Sequence, residues 1–277
     1  MHRRRFLGLL GAGLAGSGAV AARIAASPGG QADGGDTPLT EAVDDQVQGP
    51  DSGLHRIVWS VRTEQPLVAL TFDDGPDPEF TEDILDILDD FGASATFMVM
   101  GFNAVRHGHL VHEVVSGGHQ LGNHSWSHLD LRHESGASTL DQIRRGADAV
   151  RGLTGRRTRL FRPPRGEFTG NVIRAAALLD HDVMLWSATR EAPTEAPAGA
   201  VADAVLRRLE PGTIVDLHDG IGRGTFNPGE AWTEELRHRR RVEVTALPQI
   251  LREAQARGLR FVTASQLIAS EKLVAAR

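Results

Sequence analysis

Two aspartates, Asp73 and Asp74, stand side by side in the stretch "TFDDGPD" (71–77), directly after the apolar run "PLVAL". Adjacent strand residues point to opposite faces, so a pair of carboxylates is an odd way to end a buried strand. Forced into one small space the two repel, and such a pair keeps a proton or takes up a cation. Asp-Gly-Pro is also ordinary turn chemistry, and on this stretch alone a turn explains the residues as well as a site does. "NHSWSH" (123–128) offers His124 and His128, spaced i and i+4. If the strand passes into a helix there, both imidazoles lie on one face about 5–6 Å apart. Two histidines and one carboxylate, with Asp74 supplying the carboxylate, make a facial site for Zn²⁺ or another divalent ion, with positions open to water and substrate. A single His-x-x-x-His among 12 histidines is weak evidence by itself.

"RLFRPPRG" (159–166) ends an apolar run with Arg162. A buried arginine there needs a carboxylate partner, and Asp73 would serve; a surface salt bridge is the alternative. "TIVDLHDG" (213–220) ends another run with His218, which standing alone would read as a satisfied core histidine. His107, His109, His112, His119 and His133 lie nearby without ligand geometry and read as surface residues.

These residues need elements to bring them together. Apolar runs at 67–72, 94–101, 119–125, 159–164, 183–188, 213–219 and 260–265 read as buried strands. Helical stretches alternate with them. "EFTEDILDILDDFG" puts Ile84, Leu85, Ile87 and Leu88 on one stripe and ends at Gly92, a C-cap signal. Strand–helix alternation predicts a parallel sheet, open or closed into a barrel. In such folds chemistry gathers at the C-terminal ends of the strands, which is where Asp73, Asp74, His124, His128, Arg162 and His218 fall.

Taken together, "TFDDG", "HSWSH", "RPPRG" and "DLHD", in this order, resemble the motifs of the polysaccharide deacetylases with a NodB homology domain, carbohydrate esterase family 4. The resemblance covers about residues 66–270. It implies an α/β fold, a distorted, incomplete (β/α)7 TIM-like barrel. It implies a metal triad of Asp74, His124 and His128, holding Zn²⁺ or else Co²⁺, Ni²⁺ or Mn²⁺. Asp73 matches the general base, Arg162 the residue that orients it and His218 the general acid. Arg165, through its backbone N–H, Leu217, in the acetyl-methyl pocket, and Trp186 are the expected substrate contacts. The implied reaction is hydrolytic removal of N-acetyl groups from a glycan of the peptidoglycan or chitin type. O-deacetylation of xylan and a glycan-binding pseudoenzyme are the alternatives. Two departures stand out. Arg165 occupies a position usually aromatic, and "WSATREAPTEAP" (186–197) lacks the Asp and second Trp of the fourth motif. Glu191 is the expected substitute carboxylate behind His218, with Asp219 next. The segment 220–243 reads as an enlarged loop in which Trp232 or the Arg237–Arg241 run touches substrate or is solvated.

The remainder bounds the setting. Residues 1–26 carry a basic start and a Gly/Ala-rich apolar stretch, a signal-peptide pattern; "RRRFL" resembles the twin-arginine export signal through Arg3 and Arg4. The stretch is too short and glycine-rich for stable membrane insertion after cleavage. Residues 27–60 read as a flexible acidic linker. There is no cysteine, so a metal must rest on His, Asp or Glu. Removing residues 1–26 leaves 26 basic residues against 36 acidic ones, a net charge of about −10, which disfavours nucleic acid as a partner. The expected setting is outside the cell or in its envelope.

Overall fold

The computed structural model describes residues 55–222 and 229–271. The expected signal peptide and most of the linker lie outside these residues. The linker's expected end at residue 60 is too late: Ile57–Val58 already forms a strand, β1, on the edge of the sheet.

β2 (Leu67–Asp73) is buried at all seven positions and forms the centre of the sheet. It is flanked by β3 (Thr96–Val99) and β8 (Ile214–His218), both parallel to it. β4 (Gln120–Asn123), β5 (Leu160–Phe161) and β6 (Asp182–Met184) continue the sheet from β3 to β1, again in parallel. β7 (Ala188–Thr189) lies beyond β8, and β9 (Arg260–Val262) pairs with the start of β2. The resulting order is β1-β6-β5-β4-β3-β2-β8-β7. The expected strand at 183–188 is therefore two strands at opposite ends of this order. The chain between them spans the opening of the curled sheet: Leu185 N–H bonds Val58 O and Ser187 N–H bonds Ile214 O. This is the distorted, incomplete (β/α)7 barrel that the resemblance implies.

Helices α1 (Thr81–Asp90), α2 (Gly101–Arg106), α3 (Gly108–Ser116), α4 (Gly136–Thr154), α5 (Gly170–Leu178), α6 (Ala198–Arg207), α7 (Ala231–Ala256) and α8 (Ala264–Ala269) complete the fold. On α1, Ile84 and Leu88 are buried while Leu85 and Ile87 pack at the margin, and Gly92 takes φ +58° just past the end. The expected loop at 220–243 is corrected in its second half, because α7 begins at Ala231 and runs 26 residues. None of the helices among the described residues is long and apolar enough to cross a membrane.

Side-chain alternation divides the sheet into two faces. In a parallel ladder partners share a face, and the register pairs Thr71 with Asp216 and Asp73 with His218. Leu67, Ala69, Met98, Leu160, Met184 and Ile214 fill the interior of the curl with apolar side chains. Above them, toward the strand ends, the same face turns polar at Thr71, Asp73, Asp216 and His218. The opposite face sends Leu70, Phe72, Val215 and Leu217 into the main core, where they pack with residues from α1, α6 and α7.

Candidate active site

Asp73 is the last residue of β2, and Asp74 follows with φ +76°. That left-handed turn answers the strand-alternation problem. It swings the second carboxylate back to the side that the first already faces, so the two acids enter one cavity instead of opposite faces. Ser125 (φ +67°), His128 (φ +55°) and Arg165 (φ +63°) share this conformation, so four of the six non-glycine residues with positive φ among those described lie in the site motifs. Backbone of this kind costs on the order of 1 kcal/mol or more per residue and persists where surrounding contacts enforce it. One such contact is Asn103, whose Nδ2 donates to Asp74 O at 2.7 Å.

His124 and His128 do not sit on a helix. The chain after β4 makes a turn through Ser125, and the left-handed backbone at His128 brings the rings to 5.2 Å between centroids. The fold does bring together the pair that the sequence spacing singles out, but through turns and not along a helix. His124 Nδ1–H donates to Arg162 O at 2.9 Å, which leaves Nε2 with its lone pair toward the carboxylates. Nε2 of His124 lies 3.6 Å from Asp74 Oδ1, and Nε2 of His128 lies 3.4 Å from the same oxygen. Asp74 Oδ1 is buried with no hydrogen-bond partner. One ligand atom from each of Asp74, His124 and His128 comes within 4.8 Å of the other two. An orphaned carboxylate oxygen facing two imidazole nitrogens is a donor set that fits a divalent cation.

The electrostatics agree. Burial would raise the Asp74 pKa, yet His128, His124 and Arg240 together hold it well below the carboxylate range. Burial pushes His128 down to about 4, against the pull of Asp74, so its ring is neutral as a ligand must be. His124 goes the other way: burial is outweighed by Asp73 and Asp74, and its pKa rises. The field that favours a proton there favours a metal ion equally. Gly222 closes the site from β8's side of the sheet; a Cβ on it would stand 2.7 Å from His128 Cγ and 2.9 Å from Asp74 Oδ1.

Arg162 follows β5 and is wholly buried. Its Nη1 lies 2.6 Å from Asp73 Oδ1 and 2.9 Å from both Asp216 Oδ1 and Thr71 Oγ1. Nε and Nη2 donate to the carbonyls of Met184 and Leu185. The expected Asp73–Arg162 pair is present. Asp216, which the sequence reading passed over inside "DLHD", shares the same guanidinium. Burial and the charge of Asp73 push the Asp216 pKa up to about 7.

His218 ends β8. Its Nδ1–H donates to Glu243 Oε2 at 3.1 Å, and its backbone N–H donates to the same oxygen at 2.9 Å. Glu243, on α7, is buried, and its Oε1 takes Arg190 at 3.3 Å and Arg240 at 3.4 Å. Burial would raise the Glu243 pKa, but His218 and the two arginines bring it down to about 2. Burial and Arg240 lower the His218 pKa, and Glu243 and Asp216 more than restore it, for a net rise. Neither carboxylate expected behind His218 is there. Glu191 is exposed and pairs with Arg208 at 3.1 Å. Asp219 accepts from Thr81 Oγ1 at 2.8 Å and from Gly75 N–H at 3.1 Å. A glutamate in a segment read as loop gave no sequence signal, because only helical phase carries it to His218.

Arg240 comes from the basic run. It is buried, donates through Nε to Gly220 O at 2.9 Å, and places Nη2 3.1 Å from Asp74 Oδ2. Arg237 and Arg241 pair with Glu79 instead. Trp186 lies in the opening of the curl with its ring 5.4 Å from the Arg162 guanidinium carbon. Arg165 and Trp186 line the cavity, as does Trp232. Leu217, expected at an acetyl-methyl pocket, is instead in the main core, one residue out of phase with Asp216 and His218. His119 is likewise not a surface residue: it is buried, and its Nδ1 accepts the Ala95 N–H at 3.2 Å. His107, His109, His112 and His133 remain at least partly exposed.

A curled, parallel α/β barrel with an Asp-His-His donor set beside an arginine-held carboxylate and a glutamate-backed histidine describes a class of hydrolase. The polysaccharide deacetylase family profile matches residues 60–184. A peptidoglycan-N-acetylglucosamine deacetylase of Bacillus cereus is 33% identical over 214 residues, covering 76% of this chain and 92% of the relative. A chitooligosaccharide deacetylase of a Bradyrhizobium species is 31% identical over 201 residues, covering 72% of this chain and 90% of the relative. The crystal structure of a peptidoglycan N-acetylglucosamine deacetylase in complex with 4-naphthalen-1-yl-N-oxidanyl-benzamide matches with a TM-score of 0.68 at 29% identity, covering 78% of this chain and 95% of the other. The chain belongs to the polysaccharide deacetylase family, the hydrolases of carbohydrate esterase family 4.

Proposed function

We propose that this chain is an exported, metal-dependent deacetylase that removes N-acetyl groups from a glycan of the peptidoglycan or chitin type. The observation that carries the reading is the division of labour between the two adjacent aspartates. Asp74 faces two imidazole nitrogens, whereas Asp73 faces a buried arginine and keeps its second oxygen 3.6 Å from His124. One is placed to hold a cation and the other to act as a base. Both substrate types come from the relatives named above, and the identity of the leaving group follows them.

Asp74, His124 and His128 would hold a divalent ion, Zn²⁺ in the first place, which would supply Lewis acidity to the reaction. Asp73, held by Arg162 at 2.6 Å, accepts the proton that the attacking water must lose. Asp216, its pKa raised by burial and by the charge of Asp73, shares the Arg162 guanidinium with Asp73. The Arg165 backbone N–H donates to the oxyanion that develops on the acyl group. His218, with Nδ1–H fixed by Glu243, passes a proton from Nε2 to the departing amine. Glu243 and Asp216 raise the His218 pKa, which favours the protonated acid that an amine leaving group requires.

The deciding experiment is acetate release from chitotetraose, peptidoglycan and acetylated xylan, before and after exhaustive chelation. Release from the first two, abolished by chelation and restored by Zn²⁺ or Co²⁺, is the expected result. Undiminished release with no metal left by elemental analysis would overturn the metal role, and release from xylan alone would make the enzyme an O-acetyl esterase. The pattern of residues 1–26 supports export by the twin-arginine route. Arg3→Lys with Arg4→Lys should hold precursor in the cytoplasm, and unchanged export would point to the general secretory route.

A further inference from the structure

The cavity that contains Asp73, Asp74, His124, His128 and His218, about 940 Å³ in volume, is also lined by four arginines: Arg165, Arg190, Arg239 and Arg240. Three of them have an anion within the protein. Arg240 reaches Asp74 at 3.1 Å, Arg190 reaches Glu243 at 3.3 Å, and Arg165 stands 3.8 Å from Asp130. Arg239 has none among the described residues, and its Nε is buried without a hydrogen-bond partner. The anions nearby are committed elsewhere. Glu243 serves His218, Arg190 and Arg240; Glu191 pairs with Arg208; Glu230 accepts the Trp232 indole N–H. Burial lowers the Arg239 pKa, and the charges of Arg190 and Arg240 lower it further, with Glu243 and Glu235 opposing.

A cation held against two other cations in a partly dry cavity, with no carboxylate within ion-pair distance among the described residues, is electrostatically incomplete. Every other arginine around it shows that the fold can supply carboxylates, yet it supplies none here. The missing charge is a single negative one. A dianionic phosphate would bring a surplus charge into a cavity that already holds Asp73 and Asp74. A carboxylate matches both the charge and the planar fork of a guanidinium. The indole faces of Trp186 and Trp232 on the same cavity suit the apolar faces of sugar rings.

We propose that Arg239 is a specificity-determining residue that binds a carboxylate carried by the glycan, on or beside the acetylated sugar, so that acidic acetylated glycans are preferred over neutral ones. This rests on the deacetylase reading and narrows it to a substrate class. The probes are three tetrasaccharides of equal length: neutral chitotetraose, an acetylated tetrasaccharide with a lactyl-ether carboxylate on alternate sugars, and that compound with its carboxylates converted to amides. The wild-type protein should show a higher kcat/KM on the carboxylate form than on the amide form, and the preference should shrink as salt rises. Arg239→Gln should lower the carboxylate-to-amide ratio at least ten-fold, chiefly through KM. Arg239→Lys should keep part of the ratio, and Arg237→Gln, on the same helix but paired with Glu79, should leave the ratio alone. No preference in the wild type, or a ratio unchanged in Arg239→Gln, would overturn the proposal. If no probe releases acetate, the deacetylase reading fails by itself. The same comparison is then read as binding affinity from tryptophan fluorescence, where a ratio unaffected by Arg239→Gln overturns the proposal and a ten-fold loss supports it.

Discussion

Arg162 and Arg240 are both buried, and each grips one of two adjacent aspartates, Asp73 and Asp74 respectively. Their settings differ. Arg162 stands just past a barrel strand between two prolines' worth of rigid chain and the face of Trp186, and its guanidinium is taken up by two carbonyls, one hydroxyl and two carboxylates. Arg240 projects from a helix outside the sheet and holds one carbonyl and two carboxylates at longer range. The first arginine's partner is the carboxylate proposed as the base, held at 2.6 Å. The second arginine takes only Oδ2 of Asp74, so that Oδ1 is left facing the two imidazoles. The difference teaches that the two aspartates are supported according to use: rigid and saturated for Asp73, shared for Asp74. Arg240 also touches Glu243, so one side chain links the cation site to the carboxylate behind His218.

The hardest break in this comparison is at the aspartates themselves. Asp73→Asn preserves shape but cannot take a proton, and kcat/KM should fall by roughly 10²–10⁴-fold with the metal content unchanged. Asp74→Asn should instead lose the metal by elemental analysis. Equal metal loss in both variants would end the division of labour.

The arginines test it at the next level. Arg162→Met leaves Asp73 and Asp216 buried without their cation and should destabilise the fold by about 3–5 kcal/mol, with no recovery on adding Zn²⁺. Arg240→Met should cost less, about 1–3 kcal/mol, since Glu243 keeps Arg190. Added Zn²⁺ should restore its melting temperature, because the ion replaces the charge beside Asp74. Identical losses, or identical rescue, would show the two supports to be equivalent.

The smallest effect is on pH. Glu243 raises the His218 pKa, so losing its charge lowers it. The protonated acid is then lost at lower pH, and Glu243→Gln should move the basic limb of the kcat/KM profile downward. Glu191→Gln should leave that limb in place, because its side chain is engaged by Arg208 at the surface. The opposite pattern would return the supporting role to Glu191.

How far the site could be read in advance depended on where each residue sits in the chain. Asp73, Asp74, His124, Arg162 and His218 close strands or follow them directly, with His128 one turn further on, and strand ends in a parallel barrel converge whatever the loops do. Residue type and local position were enough to nominate them, and enough to predict the Asp73–Arg162 pair. The helix expected under His124 and His128 failed because left-handed turns at Ser125 and His128 bring two rings together without helical periodicity. Leu217 failed on phase: strand alternation assigns the cavity to Asp216 and His218 and the core to the residue between them.

Sequence by itself determined the alternation of strands and helices, the polar residues at strand ends and the chemistry those residue types permit, because each is a matter of local periodicity and composition. Tertiary structure alone decided which carboxylate stands behind His218, which arginine faces Asp74 and which arginine of the cavity has no ion-pair partner among the described residues. Glu243 is 25 residues from His218, and Arg240 is 166 residues from Asp74. At such separations no local preference specifies a pair; the packing of α7 against the sheet sets its rotation, and that rotation sends Arg240 and Glu243 inward while Arg237 and Arg241 turn to Glu79.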